Sequence, residues 1–259
     1  MNILQLTRKE MADLLLSLKG WNEKKALTVL QDAWIKSRKT ETTYEIPMNA
    51  FITTALPPIF EKLVKTEELD IGFSLNEIGA LGNQIQHTSF SVTALQNWVK
   101  RDLKDMVGPP QRGKKYSIEQ AALLFIVEDL KTALDFDSIR KLLSLIVNDP
   151  SDRDDDLISP IRLYSAYSSL FEKLNFREAT AASGGDAIIA IEQEIEARAA
   201  DWANSFPNLH ADQREAVRNV IVIAALSVHT AHFQMLAKRY VSATLFLQNL
   251  TISNPKQAE

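Results

Sequence analysis

The 259-residue sequence has no cysteine at all. That removes disulfides, thiolate-ligated zinc, iron–sulfur clusters and thiol nucleophiles together, and it matches a reducing compartment. Glycine and proline are scarce, eight and nine residues, and they gather at a few breaks such as Pro57-Pro58, Gly108-Pro109-Pro110 and Gly184-Gly185. No long β-branched alternation is present, and nearly every segment carries helical periodicity, so the fold class expected is all-α. The N-terminus lacks the apolar core of a signal peptide, since Arg8, Lys9 and Glu10 stand where it would lie, and a cytoplasmic location is expected. The most apolar stretch, residues 220–237, is interrupted by His229, Thr230, His232 and Gln234. It therefore reads as a buried helix and not as a membrane span, with no membrane partner expected.

Catalytic constellations are missing too. There is no glycine-rich phosphate loop, no nucleophile elbow and no Glu-x-x-His pair, and Glu192, Glu194 and Glu196 alternate, which scatters them around a helix. His229 and His232 have the spacing of a metal pair but no carboxylate or cysteine on the same turn. Asp152, Asp154 and Asp156 imitate the start of a calcium loop, yet Leu157 stands where glycine is needed and Leu163 where the bidentate glutamate is needed. The expectation is no enzyme, no cofactor and no metal.

What is present is a series of capped helices. Thr7 and Glu10 form a capping box over Met11, Leu14, Leu15 and Leu18, and a second helix is expected from near Asn22. Pro47 and Pro57-Pro58 divide residues 46–64 into two short pieces. Ser74 and Glu77 form another box, opening a helix of about three turns that runs toward Ile85. After the polar turn His87-Thr88-Ser89, Ser91 caps a second short helix, with Phe90 and Leu95 placed as a hydrophobic staple. Two short helices and a tight turn are the skeleton of a helix-turn-helix. Ser117 with Gln120 caps the next helix, Asp137 is the expected cap of the one after, and an acidic linker follows. Beyond it, Ser159-Pro160, Asp186 and an Asp212–Glu215 box are expected to open three further helices, the last reaching toward Leu250.

Charge singles out one place. Residues 96–116 carry Lys100, Arg101, Lys104, Arg112, Lys114 and Lys115 against Asp102 and Asp105, a net +4, whereas the whole chain is −4 and the remainder therefore −8. In the helix after Ser91 the apolar residues Leu95, Trp98, Val99 and Leu103 should bury, leaving Thr93, Gln96, Asn97, Lys100 and Arg101 outward. Amides and guanidinium groups read base edges, and lysines serve phosphates. Pro109-Pro110-Gln111-Arg112-Gly113-Lys114-Lys115-Tyr116 has the stiff entry, turn and cationic tip of a DNA-contacting wing.

This order of helix, turn, Ser-Val-x-x-Leu helix, Pro-rich basic wing and Tyr-Ser cap resembles the MerR-type winged helix. Ala94-Leu95-Gln96-Asn97-Trp98-Val99-Lys100, followed by Pro109-Pro110 and Lys114-Lys115-Tyr116-Ser117, is more closely similar to an uncharacterised bacterial family, number eighteen thirty-six of the domain-of-unknown-function series. Three departures from the MerR pattern are plain. Gln96 and Asn97 stand where an arginine and an aromatic are usual, the turn has no glycine, and the acidic segment precludes carrying over the MerR dimer geometry.

The resulting reading is a MerR-like winged helix-turn-helix at residues 73–148, flanked by an N-terminal helical cap (1–72), an acidic linker (149–158) and a C-terminal helical bundle (159–259). Its expected function is a transcriptional regulator. The DNA-contacting residues are Thr93, Gln96, Asn97, Lys100, Arg101, Arg112, Lys114, Lys115 and Tyr116, and the partner is double-stranded DNA. A homodimer is expected because one short helix reads too few base pairs. Tyr164, Tyr167, Trp202, His229, His232 and Phe233 are candidates for a small-molecule effector pocket in the bundle, against the plainer reading as core. The alternative function is a protein–protein interaction module whose degenerate winged helix does not bind DNA.

Overall fold

The structure, a computed structural model, describes residues 4–39, 51, 56–66, 70–150, 152, 155–174 and 186–253. Among the described residues it is almost entirely helical, with isolated β-bridges and no extended strand. The elements are α1 (Arg8–Lys19), α2 (Ala26–Lys39), α3 (Pro58–Lys65), α4 (Leu75–Gly82), α5 (Val92–Asn97) continued by a π-helical turn (Trp98–Asp102), α6 (Lys104–Val107), α7 (Ile118–Leu130), α8 (Phe136–Leu143), α9 (Pro160–Lys173), α10 (Ala187–Ser205) and α11 (Ala211–Ser253).

Where a cap is purely local, expectation and structure agree. The Thr7–Glu10, Ser74–Glu77 and Ser117–Gln120 boxes all form, and Ser91, Ser159 and Asp186 accept the backbone bonds expected of them. Where a tertiary partner competes, the boundaries move. α2 begins at Ala26 because the Asn22 side chain accepts the Lys24 N–H at 3.1 Å and holds a turn there. α4 stops at Gly82, short of Ile85, because Leu6 of the N-terminal segment takes the backbone instead. Leu6 N donates to Gln84 O at 2.7 Å, and Gln86 N donates to Leu6 O at 2.8 Å. Asp135, not Asp137, caps α8 by accepting the Ser138 N–H at 2.8 Å, while Asp137 pairs with Arg140 and Lys141. α11 opens without the expected Asp212–Glu215 box, the His210 N–H donating to Gln213 Oε1 at 2.9 Å, and it runs unbroken to Ser253. The first of the two pieces expected between Pro47 and Val64 lies mostly outside the described residues.

One hydrophobic core extends from Leu4 to Val228 and takes residues from all the segments that the sequence suggests as separate units. α7 is its axis: twelve of its thirteen residues are buried, including Glu119, Gln120 and Asp129. Such polar groups are tolerable in a core only when bonded. Asp129 receives Arg8 Nη2 at 2.8 Å and Nε at 3.0 Å, and accepts the Tyr167 hydroxyl at 2.8 Å. Burial works against the Arg8 charge, but the adjoining Asp129 carboxylate more than offsets it and raises the guanidinium pKa above its usual value. α1, α7 and α9 are thereby joined at one buried polar point.

The acidic segment is not a free linker. Asn148 N donates to Asp156 Oδ1 at 2.8 Å, Asp149 N to Asp155 Oδ2 at 3.2 Å, and Leu157 N returns to Ile146 O at 2.9 Å. The carboxylates thus serve as caps for a closed loop.

Candidate nucleic-acid interface

The helix pair α4–α5 is joined by a turn that has no glycine, and three side chains replace what glycine would supply. His87 adopts the left-handed conformation, φ 63°. Thr88 Oγ1 lies within donor distance of Gly82 O (2.7 Å) and Ile85 O (2.9 Å), tying the turn to the end of α4. Asn83 reaches across the turn like a strand partner, Nδ2 donating to Phe90 O at 3.1 Å and Oδ1 accepting the Phe90 N–H at 2.8 Å.

In α5 and its continuation, Leu95, Trp98, Val99 and Leu103 are buried and Thr93, Gln96, Asn97, Lys100 and Arg101 are exposed, as the periodicity implies. The π turn, closed by Leu103 N on Trp98 O at 2.8 Å, is a feature that periodicity does not reveal. Its wider i→i+5 turn brings Leu103 back toward Trp98 and Val99 on the buried face. Trp98 packs on Phe136, 6.0 Å between ring centroids, and Lys131 Nζ lies 5.3 Å from the Trp98 ring. Arg140 of α8 donates to Asp102 O at 2.7 Å, satisfying a carbonyl at the end of the π turn.

The basic segment after α6 is a two-residue hairpin. Arg112 N donates to Lys115 O at 2.9 Å and Lys115 N to Arg112 O at 3.0 Å, with Gly113 (φ 65°) first in the loop and Lys114 second. Tyr116 then pairs with Phe73, the residue before the α4 cap, through two 2.8 Å backbone bonds. Partial burial of Tyr116 pushes its phenol pKa up. The root is held by Gln120, whose amide is fully buried and fully used: Nε2 donates to Val107 O (2.8 Å) and Pro109 O (2.7 Å), and Oε1 accepts from Ser117 N (2.9 Å) and Gln111 N (3.3 Å). Pro150 of the acidic loop packs against Gly108 and accepts from Gln111 Nε2, so that loop also braces the hairpin.

The hairpin lies directly across Gly72. A Cβ there would stand 2.7 Å from Arg112 Cβ and 2.8 Å from Lys115 Cβ, atoms that cannot move without their backbone. Gly72→Ala is therefore expected to destabilise the fold by about 1–3 kcal/mol through overpacking. Hydrogen exchange should quicken at the Lys115 and Tyr116 amides before it does in α7; unchanged exchange there would show that the hairpin is not docked as described.

The candidate cations divide into two groups. Arg101 pairs with Asp102 at 2.9 Å, and Arg112 is ion-paired with Asp70, which also holds Lys19 at 3.0 Å. Lys100, Lys104, Lys114 and Lys115 are exposed and carry no ion pair among the described residues. Asn83, Asp70 and the bonds of Gln120 to the hairpin root are the support that sequence reasoning misses. Gln120 is legible as the last member of a capping box, but its bonds to Val107 and Pro109 exist only once the hairpin folds onto α7.

The aromatic residues suggested for an effector pocket are distributed differently. Tyr164 and Tyr167 are core, where burial pushes both phenols well above their usual pKa. His229 and His232 pack on Phe171, with ring centroids 4.6 and 6.3 Å away, Trp202 neighbours Phe206, and Phe233 is exposed. His232 also meets His87, 5.1 Å between rings, which places α11 against the α4–α5 turn. Among the described residues no group of three or more metal-ligating side chains assembles.

A family model described as a domain of unknown function (DUF1836) matches residues 64–168, the stretch that contains α4, α5, the hairpin, α7 and α8. The chain is 39% identical over 246 residues to the uncharacterized protein YkrK of Bacillus subtilis (strain 168), a match covering 95% of this chain and all of that protein. No solved structure matches it.

Proposed function

Taking as premise that this chain belongs to the DUF1836 family, we propose that it binds double-stranded DNA as a transcriptional regulator, through a MerR-like winged helix-turn-helix. The helix after Ser91 enters the major groove and the hairpin tip grips the backbone. The observation that carries this reading is the hairpin itself: Lys114 and Lys115 stand exposed, with no ion pair among the described residues, at the tip of a turn braced by Gln120, Gly72 and the Phe73–Tyr116 bridge. A rigid scaffold presenting cations is what backbone gripping requires. Support comes also from the exposed amides of Gln96 and Asn97 and from the π turn beside them, a distortion often found at functional sites. Because Asp70 already engages Arg112, phosphate contact falls first to Lys114 and Lys115.

Fluorescence anisotropy with genomic duplex fragments at two salt concentrations tests this. Replacing Lys114 and Lys115 together by Ala is expected to weaken binding to every sequence and to reduce the log–log salt slope by about 2. Gln96→Ala or Asn97→Ala should instead blur preference among sequences. The pairing of Arg101 and Arg112 with the chain's own carboxylates favours a second reading, in which the same surface docks a protein partner. Retention on DNA that neither set of changes alters would select that reading.

A further inference from the structure

α11 is 43 residues long, about 64 Å of helix, and its two halves differ in kind. Val217, Val220, Ile221, Ala224, Ala225 and Val228 are fully buried against the body, whereas every residue from 237 to 246 is exposed. This distal half is not a plain solvated helix. Leu226, Phe233 and Tyr240 recur at intervals of seven and are 42%, 57% and 69% exposed, and the sequence keeps the spacing at Leu247. Lys238 and Ser242 lie on the opposite side. With Leu236 and Ala243 three residues after Phe233 and Tyr240, the apolar spacing is that of the a and d positions of a coiled-coil seam.

We propose that this arm pairs with the arm of a second copy of the chain. The inference does not depend on DNA binding. Three physical points favour a second copy as the occupant. First, the arm cannot stand alone: Tyr240, Val241, Thr244 and Phe246 are indifferent helix formers, and no acidic residue is present to make helix-spaced ion pairs with Lys238 or Arg239. Second, the exposed aromatics Phe233 and Tyr240 each leave roughly 100–150 Å² uncovered, and with Leu226, Val241 and Leu245 beside them and Ile188 and Ile189 of α10 also exposed, the apolar area is on the order of 700 Å² per chain. That is the per-partner area of a standard stable interface, and it exceeds what monomers usually leave exposed. Third, a bilayer fits poorly. α11 is long and apolar enough to span one by length and composition, but 39% of its most apolar stretch, including Val220, Ile221, Ala224, Ala225 and Val228, is buried in the protein core, and Lys238 and Arg239 sit within the remainder.

Light scattering or sedimentation equilibrium of the full chain is expected to give twice the 29.1 kDa chain mass at about 10 μM, a concentration in the ordinary range for such interfaces. Phe233→Asp with Tyr240→Asp should weaken association more than about 100-fold, because two aromatic anchors are lost, and leave the thermal transition of the body in place. Ser242→Glu, on the opposite face, should leave the dimer intact and guards against a general effect of added charge. A wild-type chain that stays monomeric up to about 100 μM, or a dimer that survives the Phe233 and Tyr240 changes, overturns the proposal. So does a monomer that floats with phosphatidylglycerol-containing vesicles, since the bilayer would then be the occupant.

Discussion

Arg8→Met is expected to lower stability by about 3–5 kcal/mol, the cost of leaving a buried carboxylate without its cation. Asp129 is almost completely inaccessible, and its remaining partner is the Tyr167 hydroxyl at 2.8 Å. The measurement is a urea unfolding curve, in which the midpoint should fall while the slope stays that of the wild type. Asp129→Leu in the same chain should recover most of the loss, because both charges are then gone and the site is filled by an apolar side chain of similar size. If the double variant is no more stable than Arg8→Met alone, the ion pair is not the point at which α1, α7 and α9 are joined. Arg8 also lies near Gln86 O, with Nη1 at 3.4 Å, so the same charge stands next to the turn between α4 and α5. Loss of Arg8 should therefore disturb that turn as well as the core.

The second large effect concerns pH. Burial, reinforced by His232 and Arg8 close by, lowers the pKa of His229 to about 4. The same causes, with burial first, lower that of His87. A histidine whose folded pKa lies below its unfolded value binds fewer protons when folded, so its contribution is complete above about pH 6.5 and is lost as pH falls toward 4. Between pH 7 and pH 5 the His229 contribution should fall by up to about 2 kcal/mol. His87 changes stability in the same direction. Thermal melts over that range should show a falling midpoint, and His229→Phe, which keeps a ring against Phe171, should flatten the dependence. A His229→Phe variant with the wild-type pH profile would remove His229 from this role. His87, whose pKa is lowered in the same direction, meets His232 where α11 touches the α4–α5 turn.

Much of the helical order is legible along the chain because it rests on short-range chemistry. A hydroxyl three residues before Glu or Gln supplies a helix start, and three–four spacing of apolar side chains supplies a buried face; both are complete within one or two turns. That is why the boxes at Thr7, Ser74 and Ser117 and the inward set Leu95, Trp98, Val99 and Leu103 are found where composition and spacing put them. The end of α4 is different in kind, since Leu6, almost eighty residues earlier, claims the backbone of Gln84 and Gln86. The buried role of Gln120 likewise depends on carbonyls at Val107 and Pro109 that only the folded hairpin brings to it.

For this protein, then, the amino-acid order alone determined the all-helical class, most helix starts, the family and the local concentration of positive charge. Each of these depends on neighbours in sequence or on a simple sum. Which cations remain available was decided only in three dimensions, because Asp70 reaches Arg112 from beyond the hairpin while Lys114 and Lys115 meet no carboxylate among the described residues. The same is true of the acidic segment that became a brace, and of the last helix, half core and half exposed arm. Hydrogen bonds and ion pairs between distant residues are settled by which groups the packed core leaves within about 3 Å of each other, and no local pattern encodes that distance.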